Sequence, residues 1–471
     1  MRALLSSRRL WAGVVGLVAI AAVLTSVIFI RGTSAAAPFQ AHPISVHPIF
    51  QKLGAVQPNE QGFGCQTRPI DGSLGPRCYN PQQIRKAYDI QPLLDQGLTG
   101  TGHTIVIVDA FQSPTIAQDL QIFDAVFGLP NPTLNIIPGQ GTLTPFDGND
   151  PNQAGWAGEI TLDVEWSHAV APGATIDLVL SKTNDDADIL AATKFAVDNN
   201  LGDVISMSFG EAESCMDPNL VKAQHAVFQA ANAKGITLIA SAGDQGADQP
   251  TCDGSSFFKS ASTPASDPLV LGIGGTQLNA TPATISGGQI VNQGGDYLGE
   301  VVWNETDTFG AAGGGGFSTI YSRPSYQAPF GVPNKSRGVP DVAYNGAING
   351  GVLAAWTCPP AAGCPGNVTF VFIFGGTSAG SPQWAGLTVI ANQMAGKRLG
   401  FLHDDLYHIG KKPKQQSDFH DITVGNNTFF TVPGFSATPG WDAATGLGTP
   451  DAAKLLPELV ATHVGNGGKN L

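Results

Sequence analysis

Charge is scarce in this chain. Only 13% of its 471 residues are Asp, Glu, Lys or Arg, and the basic ones are the minority, 24 against 37 acidic, for a formal net charge of −13. Binding to a phosphate backbone needs a basic surface, so nucleic acid is excluded as a partner. Cysteine is limited to six residues, none of them in a C-x-x-C pair, and no spacing among them resembles a zinc site. Glycine (59) and proline (33) are plentiful beside 42% apolar residues. That balance describes a large core with long, ordered, loop-rich connections, because a disordered chain has less apolar content.

The first residues read as a targeting device. Arg2, Arg8 and Arg9 precede an uncharged run from Leu10 to Ile30, which Arg31 ends. The run is long enough to span a bilayer as a helix, and the heavier positive flank keeps its N-terminal side in the cytoplasm. Ser34-Ala35-Ala36-Ala37 offers a cleavage site, but the run is long for a removable signal. Residues 1–37 are therefore expected to be a signal or transmembrane anchor. Both outcomes place the rest of the chain outside the cytoplasm, as an extracellular or membrane-anchored protein. The cysteines fit that compartment: Cys65 with Cys78, Cys215 with Cys252 and Cys358 with Cys364 is the simplest of the roughly 15 pairings. Residues 38–77, rich in Pro, Gly and Gln without a period, read as a linker or extended arm. A folded domain is expected over 78–460 and a tail over 461–471.

Within that domain Thr104 to Asp109 is a continuous apolar run ending in an acid, the pattern of a buried parallel strand. Similar runs follow at Thr175 to Leu180, Asp203 to Ser208, Ile236 to Ser241 and Leu269 to Ile273. Helical candidates lie between them, at about 114–126, 155–169, 186–199 and 218–234. Strands alternating with helices imply an α/β fold, a doubly wound, mostly parallel sheet with helices on both faces. Ligands of such sheets bind beyond the carboxyl ends of the strands, where Asp109, Asp244 and Ser378 fall. Residues 275–340, rich in glycine, read as irregular loops.

Ser378 sits in Gly375-Gly376-Thr377-Ser378-Ala379-Gly380-Ser381-Pro382, between an apolar strand and a helix. Unpaired N–H groups at such a junction favour developing negative charge, which suits a nucleophile in acyl transfer. A helix-capping serine looks the same in sequence. Glu159 and Asp163 are four apart on a predicted helix, about 40° around its surface, so their carboxylates share a face. Two close acids repel, and one then keeps its proton above the usual pKa; an ordinary solvated face carries such pairs too. His168, on the same helix, lies about 140° from Asp163, and no histidine opens a helix in a His-Gly-Thr-like setting. Asp244, in Ala242-Gly243-Asp244-Gln245-Gly246, is either a turn former or a protonated acid that donates to an oxyanion.

Together these residues resemble the sedolisin family of serine-carboxyl peptidases: Glu159-x-x-x-Asp163 on a helix, Ala-Gly-Asp244-x-Gly after a strand, and Gly376-Thr377-Ser378-x-x-x-Pro382 opening a later helix. The resemblance runs from about Cys78 to Leu456. It implies a subtilisin-like fold and an endopeptidase working on polypeptides at acidic pH, as a monomer. Ser378 is then the nucleophile, Glu159 the general base, Asp163 its supporting acid and Asp244 the oxyanion-hole donor. It also implies one Ca²⁺, held by the side chains of Asp421 and Asp442 and the carbonyls of Ile422, Thr438 and Gly440; such hard oxygen donors suit the ion. The chain departs from the family in having only some forty residues between its apolar run and Cys78, too few for the usual prosegment domain. It departs again at Phe209, where relatives often carry tryptophan. Two other readings stay open: a non-catalytic surface protein on the same scaffold, and a Ser-His-Asp enzyme using Asp109.

Overall fold

Apolar runs bounded by turn residues form the strands of the central sheet, and their alternate side chains separate into two cores. The computed structural model describes residues 42 to 465 apart from 45, 47, 58–59, 61, 68–74 and 412–417. The chain divides into two units: Met1–Pro38, wholly outside the described residues, and Phe39–Leu471. The expectation of a transmembrane anchor is corrected here. Among the described residues no helix is long and apolar enough to cross a membrane, and the run Leu10 to Ile30 on which it rested lies outside them.

In chain order the elements that build the site are β1 (Ile49–Ala55), β2 (Thr104–Ala110), α1 (Ile116–Phe127), β3 (Leu134–Pro138), α2 (Pro151–Val170), β4 (Thr175–Ser181) and α3 (Asp186–Asp198). They continue with β5 (Val204–Met207), α4 (Pro218–Ala233), β6 (Thr237–Ser241), β7 (Leu271–Ala280), β8 (Tyr297–Val302), β9 (Val342–Asn345), β10 (Gly351–Trp356), β11 (Phe370–Gly375) and α5 (Gly380–Ala395). The large sheet has the order β8-β7-β6-β5-β2-β4-β3, with β9 also paired to β7. Every pairing in it is parallel except that of β8 with β7. This is the doubly wound, mostly parallel α/β arrangement expected from the alternation of strands and helices, and it agrees with the subtilisin-like fold that the resemblance implies.

Strand β2 shows how two faces are filled. Ile105 and Ile107 join a core with Ile160, Val170, Leu387 and Ile390, whereas Val106 and Val108 join another with Ile189, Leu190, Leu220 and Phe228. Successive side chains of a strand point to opposite faces, so α2 and α5 cover one side and α3 and α4 the other. Helix α2 is buried along almost its whole length, which explains why it shows no amphipathic stripe.

Residues 38–77, expected to be a linker or extended arm, contain β1, which pairs antiparallel with β11 from Ile49 against Gly375 to Ala55 against Phe370. Residues 275–340, expected to be irregular, contain the end of β7 and its antiparallel partner β8. In both places the strands pair with distant sequence, and short polar or glycine-rich strands carry little signal without their partners. The disulfides join Cys65 to Cys78, Cys215 to Cys252 and Cys358 to Cys364.

Candidate active site

Four elements deliver their acids and the serine to one cleft at the carboxyl ends of the strands. The cleft holds about 490 Å³ of empty space, partly open to solvent, and is lined by Glu159, Ser208, Phe209, Gly210, Asp244 and Ser378 among others. Helix α2 starts at Asp150, whose side chain accepts from Asn152 N at 2.9 Å, with Pro151 as its first residue. This start sets the rotation of the helix, so that Glu159 enters the cleft and Asp163 lies one turn deeper.

Neither acid is solvated: Glu159 is 1% and Asp163 0% exposed. Burial pushes the Glu159 carboxyl well above its usual range, the neighbouring Asp163 and Asp244 push it further, and the Ser378 hydroxyl favours its ionised form. Asp163 is raised by burial and by Asp109, and eased by the Ser208 hydroxyl. Asp109, at the end of β2, is raised by burial and by Glu159. Three buried carboxyl groups without a basic partner thus interact at the base of the cleft, and they titrate as a set.

Strand β11 ends at Gly375, and Gly376 turns the chain with φ of +118° into a short 3₁₀ turn, Thr377–Ala379, before α5. Ser378 lies in that turn and caps nothing. Its Oγ is 3.5 Å from the carbonyl oxygen of Ser208, a long contact. Behind it, Ser206 Oγ on β5 and Ser381 Oγ on α5 are 2.9 Å apart, which ties the helix to the sheet.

Asp244 follows β6. Its bonds are not those of a local turn, because Oδ1 accepts from the N–H and the hydroxyl of Thr377, 133 residues on. Burial raises its pKa, and the two Thr377 donors offset part of that rise. Oδ2 is turned towards Gly376: a Cβ placed there would lie 2.8 Å from Oδ2 and 3.7 Å from Ser378 N. Both atoms border the space that the missing side chain leaves open. Thr377 and Ser208 were not singled out from sequence. Two buried serines, Ser206 in β5 and Ser208 just after it, were the available signal, since a buried hydroxyl requires a partner.

No histidine among the described residues lines this cleft. His168 pairs with Asp124 at 3.0 Å, His225 with Asp267 at 2.7 Å, and His403 lies 3.3 Å from Asp341. A Ser-His-Asp arrangement is therefore not formed by these residues.

The expected calcium donors lie in two adjoining loops. Asp421 accepts from Gly440 N at 3.1 and 3.2 Å, and Asp442 Oδ2 accepts from Thr438 N at 2.9 Å. Asp442 Oδ1 also takes the N–H groups of Ala444 and Thr445, each at 2.9 Å. Asp442 is raised by burial, with these donors pulling the other way. Among the described residues no three His, Cys, Asp or Glu side chains gather as a metal cage. Two carboxylates and three carbonyls, one from buried Ile422, are an all-oxygen set whose chemistry fits Ca²⁺.

The sequence profile of the subtilase family matches residues 148–395. Kumamolisin of Bacillus sp. (strain MN-32) is 32% identical over 453 residues, covering 89% of this chain and 72% of that protein. Sedolisin of Pseudomonas sp. (strain 101) is 31% identical over 403 residues, covering 82% of this chain and 62% of that protein. The solved structure of Pseudomonas sedolisin, a serine-carboxyl proteinase complexed with two molecules of pseudo-iodotyrostatin, superposes with a TM-score of 0.66 at 27% identity, over 83% of this chain and 99% of that one.

Proposed function

Since the chain belongs to the sedolisin family of serine-carboxyl peptidases, we propose that it is an endopeptidase that hydrolyses polypeptides at acidic pH through Ser378, Glu159, Asp163 and Asp244. The observation that carries this reading is that the buried carboxyl of Glu159 lines one cleft with Asp244 and Ser378. Ser378 Oγ attacks the scissile carbonyl carbon while Glu159 takes its proton, and the carbonyl electrons move onto oxygen. Asp244, protonated on Oδ2, donates to that oxyanion together with Ser378 N–H. The tetrahedral species then expels the amine, which takes the proton from Glu159. Water, activated by the same carboxylate, hydrolyses the acyl-enzyme and returns Ser378 to its hydroxyl form.

Coupling among the acids sets the working pH. For this step Glu159 must carry the charge while Asp244 keeps its proton; the Ser378 hydroxyl favours the charge on Glu159, against burial and the neighbouring acids. As the pH rises further Asp244 ionises and its donor is lost, so both limbs of the profile belong to carboxyl groups. All the residues used come from one chain, so a monomer suffices. Three disulfides support an oxidising, extracytoplasmic location. Asp421, Asp442 and the carbonyls of Ile422, Thr438 and Gly440 would hold one Ca²⁺, which when bound supplies cross-links between the two loops.

The test is cleavage of an unfolded protein between about pH 3 and pH 8 by wild type, Ser378→Ala and Glu159→Gln. An acid optimum is expected, with loss of about 10³-fold or more in each variant. Equal activity in wild type and Ser378→Ala overturns the reading.

A further inference from the structure

Beside the loop that carries Asp244, the chain presents three phenylalanine rings in a row. Gln245 lines the cleft, and the next two residues, Gly246 and Ala247, rest on the segment around Phe429. Ala247 N donates to Asn427 O at 3.1 Å, and a Cβ on Gly246 would lie 3.0 Å from Phe429 Cβ. The Phe429 ring meets that of Phe430 edge to face with centroids 4.6 Å apart, and that of Phe257 in the same manner at 5.1 Å. Phe429 is buried, but Phe430 is 60% and Phe257 42% exposed.

Phe430 serves neither its turn nor the core. It lies in a tight turn closed by Phe429 N donating to Val432 O at 3.2 Å and Val432 N donating to Phe429 O at 2.9 Å, and its φ is +45°. Glycine or asparagine takes that conformation easily, whereas a bulky side chain is strained there. The exposed ring recovers little of that strain through burial. The turn is nevertheless firmly held, because Asn304 Nδ2 donates to Asn426 O at 3.0 Å and to Thr428 O at 2.8 Å. A strained backbone that holds an apolar ring in water, next to a second exposed ring, points to binding.

We propose that Phe257 and Phe430, backed by Phe429, form a docking surface for a large apolar side chain, aromatic above all, of the unfolded polypeptide that is cut at Ser378. The inference rests on the peptidase reading of the cleft and deepens it by naming a substrate class. Continuity favours this occupant: the rings adjoin the loop that carries Asp244, so a chain leaving the cleft over Gln245 reaches them. From Asp244 to Gly246 is at most about 7 Å of backbone. The rings therefore lie within about five residues of the scissile bond of an extended substrate. An incoming aromatic ring continues the edge-to-face array already present.

Phe430→Gly separates a docking role from a structural one. Glycine accepts the turn without strain, so the melting temperature is expected to hold or rise, while KM for reduced and carboxymethylated lysozyme rises about ten-fold. Added to Ser378→Ala, the same substitution is expected to weaken binding of that unfolded protein about ten-fold, a readout that needs no cutting. Cuts made by the wild type are expected to show Phe, Tyr, Trp or Leu enriched at one fixed position within about five residues of the cut, and Phe430→Gly should lose that enrichment. Unchanged KM and binding, with or without a lower melting temperature, overturn the docking surface and leave the peptidase reading intact. A wild type that dimerises through these rings, with Phe430→Gly monomeric, also overturns it. Wild type that cuts no more than Ser378→Ala ends the peptidase reading, and the binding measurement then decides the surface by itself.

Discussion

Asp244 Oδ1 accepts two hydrogen bonds from the single residue Thr377, one from its backbone N–H and one from its hydroxyl, each 2.8 Å long. One oxygen of the carboxyl is thereby fixed as an acceptor. A proton on this acid is left to Oδ2, the oxygen beside the gap at Gly376. The same Thr377 hydroxyl lies 3.1 Å from both the N and the O of Gly243, so it holds the loop as well as the acid.

Replacing Thr377 by Val removes the hydroxyl and keeps the N–H and the shape. The hydroxyl favours the ionised form of Asp244, so its loss raises the pKa of that acid. The alkaline limb of the kcat/KM profile is expected to move up by about one pH unit, the value of one hydrogen bond to a charged group. At the optimum kcat is expected to fall about ten-fold, because the donor is less well oriented. An alkaline limb that stays in place, in a folded variant, removes Asp244 from the oxyanion role.

Stability should fall as the pH rises. Asp109, Asp163 and Glu165 are all raised well above their ordinary values by burial, and burial lifts Glu211 to about 8. Below about pH 4 these groups are protonated in both folded and unfolded chains, and their stabilising effect is complete. Above it the unfolded chain releases protons that the folded one keeps, so stability is lost progressively until about pH 8. Asp341 acts in the opposite sense: Arg337 outweighs burial and holds it below the usual range, which contributes stability lost only under strong acid. The melting temperature is expected to be higher at pH 4 than at pH 8, with a free-energy difference of about 3 kcal/mol or more. Glu211→Gln should flatten the upper part of that curve. A melting temperature that rises from pH 4 to pH 8 contradicts the argument.

The parts of this architecture legible in the sequence were those carried by local pattern. Strand β2 and its parallel neighbours announce themselves as apolar runs, with the Asp244 motif after β6, the Glu159 motif within α2 and the Ser378 motif between β11 and α5. Helix α2 starts at Pro151 rather than 155 because the Asp150-Pro151 capping signal outweighs the weak helix propensity of Gly155 and Gly158. Strand β1 was hidden because its partner β11 lies more than 300 residues away and only that pairing makes it a strand. The role of Thr377 was hidden for the same reason. Its distinguishing contact is with Asp244, and nothing in a Gly-Thr-Ser triplet tells which of its hydroxyls faces the acid.

The two acids proposed for Ca²⁺ should respond differently to mutation, which separates a metal effect from a loop effect. Asp442 is 6% exposed and binds the N–H groups of Thr438, Ala444 and Thr445, so it organises its loop whether or not an ion is present. Asp421 is half-buried and reaches across to Gly440 N in the opposite loop. An ion bound to the folded chain stabilises it by about 2.7 kcal/mol at one hundred times its Kd, and a chelator removes that share. Chelation is therefore expected to lower the melting temperature of the wild type by a few degrees, about 2 °C or less per kcal/mol for a chain of this size. Asp421→Ala should start near the chelated value and no longer respond to the chelator. Asp442→Ala should fall below it, because the buried N–H groups lose their acceptor as well. A wild type indifferent to chelator and to added Ca²⁺ leaves these loops held by their own hydrogen bonds alone and sinks the metal assignment.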